Sequence, residues 1–276
     1  MPDRTALVLG CGTMGAATAR LVIEDARFQH VVVADRDLRR AEGLAETLGG
    51  AATALQLDCR QEDQVARSLG GMSVVLNTTG PFSRDTLSLM RTVIEAGIPY
   101  ADINDDVETL QSVFDSEYLS SLAKHRGVGV LPGLGASPGQ TNVLARHLFS
   151  RMDVVEEVRF FMVNDATYRS EAVWRHRLAL FSQPALLFDR GRWTQTPGMS
   201  EYQDVAFAAP WGNIRCYNVG LETVTIPTSF GGLLHASLWR GFSDPATTET
   251  LKALVDAGLA SDDPLEADGV SVTPAA

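Results

Sequence analysis

Three closely spaced glycines, Gly10, Gly12 and Gly15, constrain this chain more than any other feature. They follow directly on a short, apolar, β-prone run, Thr5-Ala6-Leu7-Val8-Leu9, and they open an amphipathic segment from Ala16 to Glu24. A strand, a glycine turn and a helix in that order give the G-x-G-x-x-G spacing a physical meaning. Gly10 permits the tight turn, Gly12 lets a pyrophosphate come up against the backbone, and Gly15 lets the helix lie close on the strand. The N–H groups at the helix start, at the positive end of its dipole, then face the phosphates. Asp35 closes the next apolar run, Val31-Val32-Val33-Ala34, 20 residues after Gly15. A carboxylate placed there accepts hydrogen bonds from the adenosine ribose hydroxyls. The stretch predicts a dinucleotide site that includes Gly10, Gly12, Thr13, Met14, Gly15 and Asp35. The competing reading is a glycine turn in an unrelated α/β protein.

Strands and helices alternate from residue 5 to about residue 150. Helices are expected over 37–48, 62–69, 84–96, 106–125 and 140–149, and strands over 53–57, 73–76, 97–102 and 128–131. Such alternation builds a parallel sheet covered on both faces. The ligand of such a sheet lies beyond the carboxyl ends of its strands. Asp58 and Cys59 are therefore expected at the adenine edge, with Asp58 as a helix cap the other reading. Thr78, Thr79 and Gly80 are expected under the nicotinamide ribose, with Pro81-Phe82 fixing that loop. Asp35 favours NAD(H), because a carboxylate repels a 2′-phosphate. Arg36, with Arg39 and Arg40, pulls towards NADP(H) unless these arginines are a solvated helix face.

The pattern changes after residue 150. A strand is expected over 156–163, a helix over 174–188, strands over 205–208, 215–219, 223–226 and 233–240, and a helix over 247–257 before a polar tail. The expected architecture is α/β: a Rossmann-type doubly wound parallel sheet over residues 1–145 and an α+β domain over 146–245. A C-terminal helix and tail over 246–276 are expected to return to the first domain.

With 276 residues, 45% of them hydrophobic, the chain can bury a sizeable core. Its net charge of −11 argues against a general nucleic-acid or anionic-membrane binder. The three cysteines, Cys11, Cys59 and Cys216, are far apart and form neither a disulfide framework nor a zinc spacing. A reducing cytoplasm is the default compartment. No apolar stretch reads as a membrane span, and no metal-binding motif is present.

Several segments resemble the saccharopine dehydrogenase-like family, and within it the lysine 6-dehydrogenase branch. They are the opening glycine loop, Asn77-Thr78-Thr79-Gly80-Pro81-Phe82, Gly97-Ile98-Pro99-Tyr100-Ala101-Asp102, and Gly135-Ala136-Ser137-Pro138-Gly139-Gln140-Thr141-Asn142. Weaker similarity continues through Phe181-Ser182-Gln183-Pro184-Ala185 and Val219-Gly220-Leu221-Glu222. The resemblance implies a nicotinamide-dependent oxidoreductase working at a C–N bond of an amino acid or polyamine-like compound. It also implies a Rossmann domain with an inserted substrate domain whose sheet often mediates homodimers. Leu221 stands where the family often has a histidine. The segment Asp268-Gly269-Val270 to Thr273-Pro274 looks like an internal one, after which family members continue.

Hydride transfer requires the protein to position a substrate carbon and to manage one proton. Asp102, closing the fifth strand, is the first candidate for that task or for the nicotinamide side. Its alternative is a carboxylate satisfied by N–H groups of its own turn. His176 and His235 are the histidine candidates, whereas His30, His125 and His147 read as structural. Arg175 and Arg177 could clamp a substrate carboxylate bidentately, or form an exposed basic face. Glu222 is a further substrate-side candidate. Two rival functions remain: a dinucleotide-binding sensor or scaffold without turnover, and a non-redox or net-neutral amine-transfer enzyme holding NAD.

Overall fold

The computed structural model of the protein describes residues 4–80, 82–165, 171–260, 264–267 and 269–273. Pro81, expected at the cofactor, lies outside them. The chain divides into two compact units, residues 1–140 and 141–276.

The first unit runs β1 (Thr5–Leu9), α1 (Thr13–Glu24), β2 (His30–Asp35), α2 (Leu38–Leu48), β3 (Ala52–Gln56), α3 (Glu62–Ser68), β4 (Val74–Asn77), α4 (Arg84–Glu95), β5 (Tyr100–Asp102), α5 (Val107–Phe114), α6 (Glu117–Arg126) and β6 (Val130–Leu131). Its strands pair in the order β3-β2-β1-β4-β5-β6, and all pairs are parallel. The centre of the sheet explains the apolar run at the chain's start. Residues Ala6 to Leu9 are wholly buried, as a strand covered on both faces must be. Leu7 and Leu9 join Val75, Met90, Val93 and Ile94 in one core. Ala6 and Val8 join Val22, Val31, Val33 and Leu44 in another. One strand thus feeds the layers on both sides of the sheet. The chain reverses its direction of travel between β1 and β4, and a crevice at the carboxyl ends follows from that reversal.

One expectation in this unit changes. The helical stretch 106–125 is two helices, α5 and α6. The Ser116 hydroxyl accepts from the Leu119 N–H at 3.2 Å, so an internal cap ends one helix and starts the next.

The second unit starts in α7 (Gln140–Phe149) and continues through β7 (Glu157–Asn164), α8 (Glu171–Ser182), β8 (Ala185–Asp189), β9 (Arg192–Thr196), β10 (Tyr202–Phe207), β11 (Gly212–Val219), α9 (Glu222–Ser229), β12 (His235–Phe242), α10 (Pro245–Asp256), β13 (Leu265–Ala267) and β14 (Val270–Val272). Its main sheet is antiparallel in the order β10-β11-β12-β8-β9, with β7 joining β12 in parallel. α10 packs on α8 and β12. The last two strands form a small hairpin.

Two expectations here are corrected. The helix expected over 174–188 ends at Ser182, and Ala185–Asp189 is a strand. Pro184 forces its predecessor out of helical geometry, and a turn at Arg190-Gly191, both with positive φ, pairs β8 with β9. The strand expected over 223–226 is the helix α9. Its β-branched residues favour a strand locally, yet all of Glu222 to Ile226 are buried, and tertiary burial overrides that preference. Pro227 removes the N–H that would have bonded to the Thr223 carbonyl. The indole N–H of Trp193 donates to that carbonyl instead, at 2.9 Å.

Candidate dinucleotide site and substrate-side residues

The glycine turn is built from β1, α1, β2 and β4. Gly10 adopts a φ of +91°, a left-handed conformation that favours glycine. Its N–H donates to the Ala34 carbonyl at 2.8 Å. A Cβ on Gly15 would stand 1.7 Å from the Gly10 carbonyl oxygen, whereas one on Gly12 would meet nothing within 4 Å. Gly15 therefore serves packing of helix on turn, and Gly12 borders open space. Gly12, Thr13 and Met14 are exposed there. Gly12 caps α1 without a side-chain hydrogen bond, so the positive end of that helix opens outward beside the turn.

Asp35 and Thr78 hold this turn from either side. The Asp35 carboxylate accepts from the Cys11 N–H at 2.9 Å and from the Asp37 N–H at 3.0 Å. The Thr78 hydroxyl donates to the Leu9 carbonyl at 2.8 Å and lies 3.2 Å from that of Gly10. Thr78 thus works beneath the turn rather than at its surface. The half-buried Cys11 thiol is pushed up to about 12, mainly by burial and then by Asp35. Such a thiol is no nucleophile.

A cleft of about 460 Å3 opens beside the turn, between α1 and α2, with Gly12, Thr13, Arg20, Arg40 and Thr47 in its wall. Neither Arg20 nor Arg40 forms an ion pair among the described residues. Asp58 pairs with Arg60 at 2.7 Å, and that guanidinium holds its carboxyl down at about 2. Cys59 packs against the core beneath, and burial raises its thiol to about 11.

At the ends of β4 and β5 lies a buried polar chain. The Asn77 side-chain carbonyl accepts from the Thr79 N–H and hydroxyl at 3.0 and 2.6 Å. Its amide donates to the Tyr100 hydroxyl at 2.9 Å, which donates to Asp102 at 2.9 Å. The other Asp102 oxygen accepts from the N–H groups of Asn104 and Gly133 at 3.0 and 2.8 Å. Asp102 is 1% exposed, and burial raises its pKa more than these donors lower it. Its carboxylate ties the Thr79 loop to the loops after β5 and β6, and no solvent-facing oxygen is available for a general base. The Asn77 and Tyr100 side chains are the members that sequence reasoning missed. Both lie near strand ends, on the face that alternation turns inward.

In the second unit the substrate-side candidates scatter. His235 begins β12, half-buried, with its Nδ1 at 2.8 Å from Asp189. Glu222 is 0% exposed, and its carboxylate accepts from the Thr141 hydroxyl at 2.9 Å. It is enclosed in the core rather than set at a surface where a substrate could reach it. Arg175 and His176 lie on α8, but their side chains fall outside the described residues. The guanidinium of Arg177 lies over the rings of Trp174 and Phe242.

Comparison with known proteins agrees with this geometry. Residues 6–127 match the family of the saccharopine dehydrogenase NADP binding domain. The first unit has a Rossmann-type fold, and its residues fit a dinucleotide: a turn with no side chain at Gly12 and a helix start facing open space. Among solved structures, apo saccharopine dehydrogenase (L-Glu forming) from Saccharomyces cerevisiae superposes with a TM-score of 0.68 at 18% identity, over 96% of this chain and 60% of that one. The chain thus spans 60% of the length of that enzyme. GenD2 from gentamicin A biosynthesis, in complex with NAD, matches with a TM-score of 0.49 at 16% identity, over 89% of this chain and 67% of that one. A myo-inositol dehydrogenase from Corynebacterium glutamicum matches at 0.48 and 14% identity, over 87% and 68%. The fold shared with saccharopine dehydrogenase is, in this chain, a parallel six-stranded Rossmann-type sheet followed by a largely antiparallel second sheet.

Proposed function

We propose that the protein is an NAD(P)-dependent oxidoreductase acting on a C–N bond of a small amine or amino-acid-like substrate. The observation that carries this reading is the cradle at Gly10 to Gly15, crowded behind Gly15 and open in front of Gly12. The bound nicotinamide supplies a hydride acceptor or donor. The chain's own residues bind and orient it. Gly12, Thr13 and Met14 take the pyrophosphate, Asp35 takes the adenosine ribose, and Thr79 and Gly80 border the nicotinamide ribose. Asp102 acts as a positioning residue, leaving His176 and His235 as the candidates to hold the proton. The C–N assignment is supported by the resemblance of Gly97 to Asp102 and Gly135 to Asn142 to the saccharopine dehydrogenase-like family, and by the similarity in fold to saccharopine dehydrogenase.

The Asp35 carboxylate favours NAD(H) by repelling a 2′-phosphate. The cleft at Arg20 and Arg40 favours NADP(H) as the second reading, since guanidinium groups with no ion pair among the described residues suit a phosphate. The enclosure of Asp102 favours a further alternative, a dinucleotide-binding protein without turnover. A second copy of the chain is the proposed protein partner, and light scattering of the purified protein checks it. The three cysteines are unpaired, which supports a reducing compartment such as the cytoplasm.

Fluorescence titration with NADH and NADPH, followed by turnover of the preferred cofactor against a panel of amines and keto acids, tests the proposal. Saturable binding with turnover of at least one amine is the expected result. Tight binding with no absorbance change on any substrate supports the sensor. An unchanged signal with both cofactors overturns both readings.

A further inference from the structure

The carboxyl ends of α7 and α9 meet at a cavity of about 290 Å3. It belongs entirely to the second unit, and it shares no residue with the dinucleotide turn or with the substrate-side candidates. Its size falls at the small end of ligand pockets, roughly 300–1,000 Å3, so it admits a small molecule only. One wall is aromatic. The rings of Phe149 and Phe230 meet edge-on with 4.4 Å between their centres.

The rest of the lining carries both signs of charge. Asp153 and Arg146 are exposed at the cavity, and the Arg146 guanidinium lies 5.6 Å from the Phe230 ring centre. Neither forms an ion pair among the described residues, and the chain is described without a break from residue 82 to 165. Two hydroxyls complete the lining. Ser150 donates to the His147 carbonyl and Ser229 to that of Thr225, each at 2.8 Å. Both protons are thereby spent, and each oxygen has only acceptor capacity left. The negative poles of two helices lie at the same place.

These groups sort by the chemistry they answer. A primary ammonium has three N–H donors, and the Asp153 carboxylate with the Ser150 and Ser229 oxygens supplies three acceptors. The planar fork of Arg146 matches the two oxygens of a carboxylate. Phe149, Phe230 and Met152 offer apolar surface between them. A simple amine leaves Arg146 unanswered, and a simple acid leaves Asp153 unanswered. A zwitterion with an apolar side chain answers all three parts.

We propose that this cavity binds a free α-amino acid with an apolar side chain, its ammonium held by Asp153 and its carboxylate by Arg146. The site is additional to the proposed oxidoreductase centre and does not depend on that reading.

Calorimetry on the full-length protein without cofactor tests it with L-leucine, L-methionine and the two halves of leucine, 3-methylbutylamine and 4-methylpentanoate. At least one amino acid binds saturably, and each half binds about tenfold or more weakly than leucine. Asp153→Asn and Arg146→Gln each weaken amino-acid binding about tenfold or more, with thermal midpoints near wild type because both residues are exposed. Gly231→Leu blocks the cavity while leaving every charge in place. A Cβ there meets nothing within 4 Å, so this variant folds and loses the amino acid. The proposal is overturned if neither amino acid binds, or if either half binds as tightly as leucine. It is also overturned if any of the three folded variants keeps the wild-type affinity, since the amino acid then sits elsewhere on the protein.

Discussion

Two glycines three residues apart have opposite jobs, and substitution separates them. A methyl group on Gly15 collides with the Gly10 carbonyl at 1.7 Å, where only backbone movement gives relief. Gly15→Ala is expected to lower the thermal midpoint and to abolish dinucleotide binding together. Gly12→Ala meets open space, so its midpoint stays within about a degree of wild type, as for surface changes within about 0.5 kcal/mol. Its affinity for NADH falls at least about tenfold, because the new methyl occupies the approach of the pyrophosphate. Parallel melting and fluorescence titration of the two variants check both halves. Asp102 gives a pH signature with a definite sign. Burial holds its folded pKa above the unfolded value near ~4. Its stabilising contribution is therefore complete below that value and is lost as pH rises through the elevated one. The unfolding free energy of wild type minus that of Asp102→Asn is expected to be larger at pH 4 than at pH 7 by urea denaturation. An equal gap at both pH values contradicts the raised pKa.

α9 is an element whose sequence argues against it. Thr223, Val224, Thr225 and Ile226 are β-branched, and Pro227 breaks the ladder of carbonyls. Side chains repair it locally: the Thr228 and Ser229 hydroxyls each donate to the Thr225 carbonyl at 2.8 Å. The Trp193 indole on β9 caps the carbonyl that Pro227 leaves open. Trp193→Phe keeps much of the edge-on contact with Phe188 but leaves the Thr223 carbonyl without its donor. A loss of about 1–3 kcal/mol is expected, the cost of a buried acceptor left unpaired. Urea denaturation measures it. A neutral result would mean that water replaces the indole.

Charge acts at the scale of the whole molecule. A chain with net charge −11 repels an anionic cofactor at long range, so under the proposed function binding has to come from local donors and, for NADPH, from the arginines of the cleft. NADPH carries the additional 2′-phosphate, and its attraction to Arg20 and Arg40 is screened by salt. The ratio of NADPH to NADH affinity is expected to fall as salt rises from 0.05 to about 0.5 M, where the Debye length shrinks below ~5 Å. Titration of both cofactors at the two salt concentrations reads this out. A ratio independent of salt argues against phosphate contact in the cleft.

The amino-acid sequence by itself settled the first unit: the glycine turn, the alternation of strand and helix, and Asp35 at the end of β2. Each is a local pattern, carried by backbone freedom at Gly10 or by the apolar period of β1 and α4. Tertiary structure alone decided which candidate side chains are enclosed. Asp102 and Glu222 read as candidate site groups, yet both are enclosed, because partners distant in the chain, Gly133 and Thr141, bring donors to their carboxylates. Arg177 read chiefly as part of an exposed basic face. Its character follows from Arg240 and Phe242, more than sixty residues away, and no local spacing encodes that neighbourhood. The strand expected at 223–226 failed for the same reason: burial of the whole segment outweighed what its residues prefer alone.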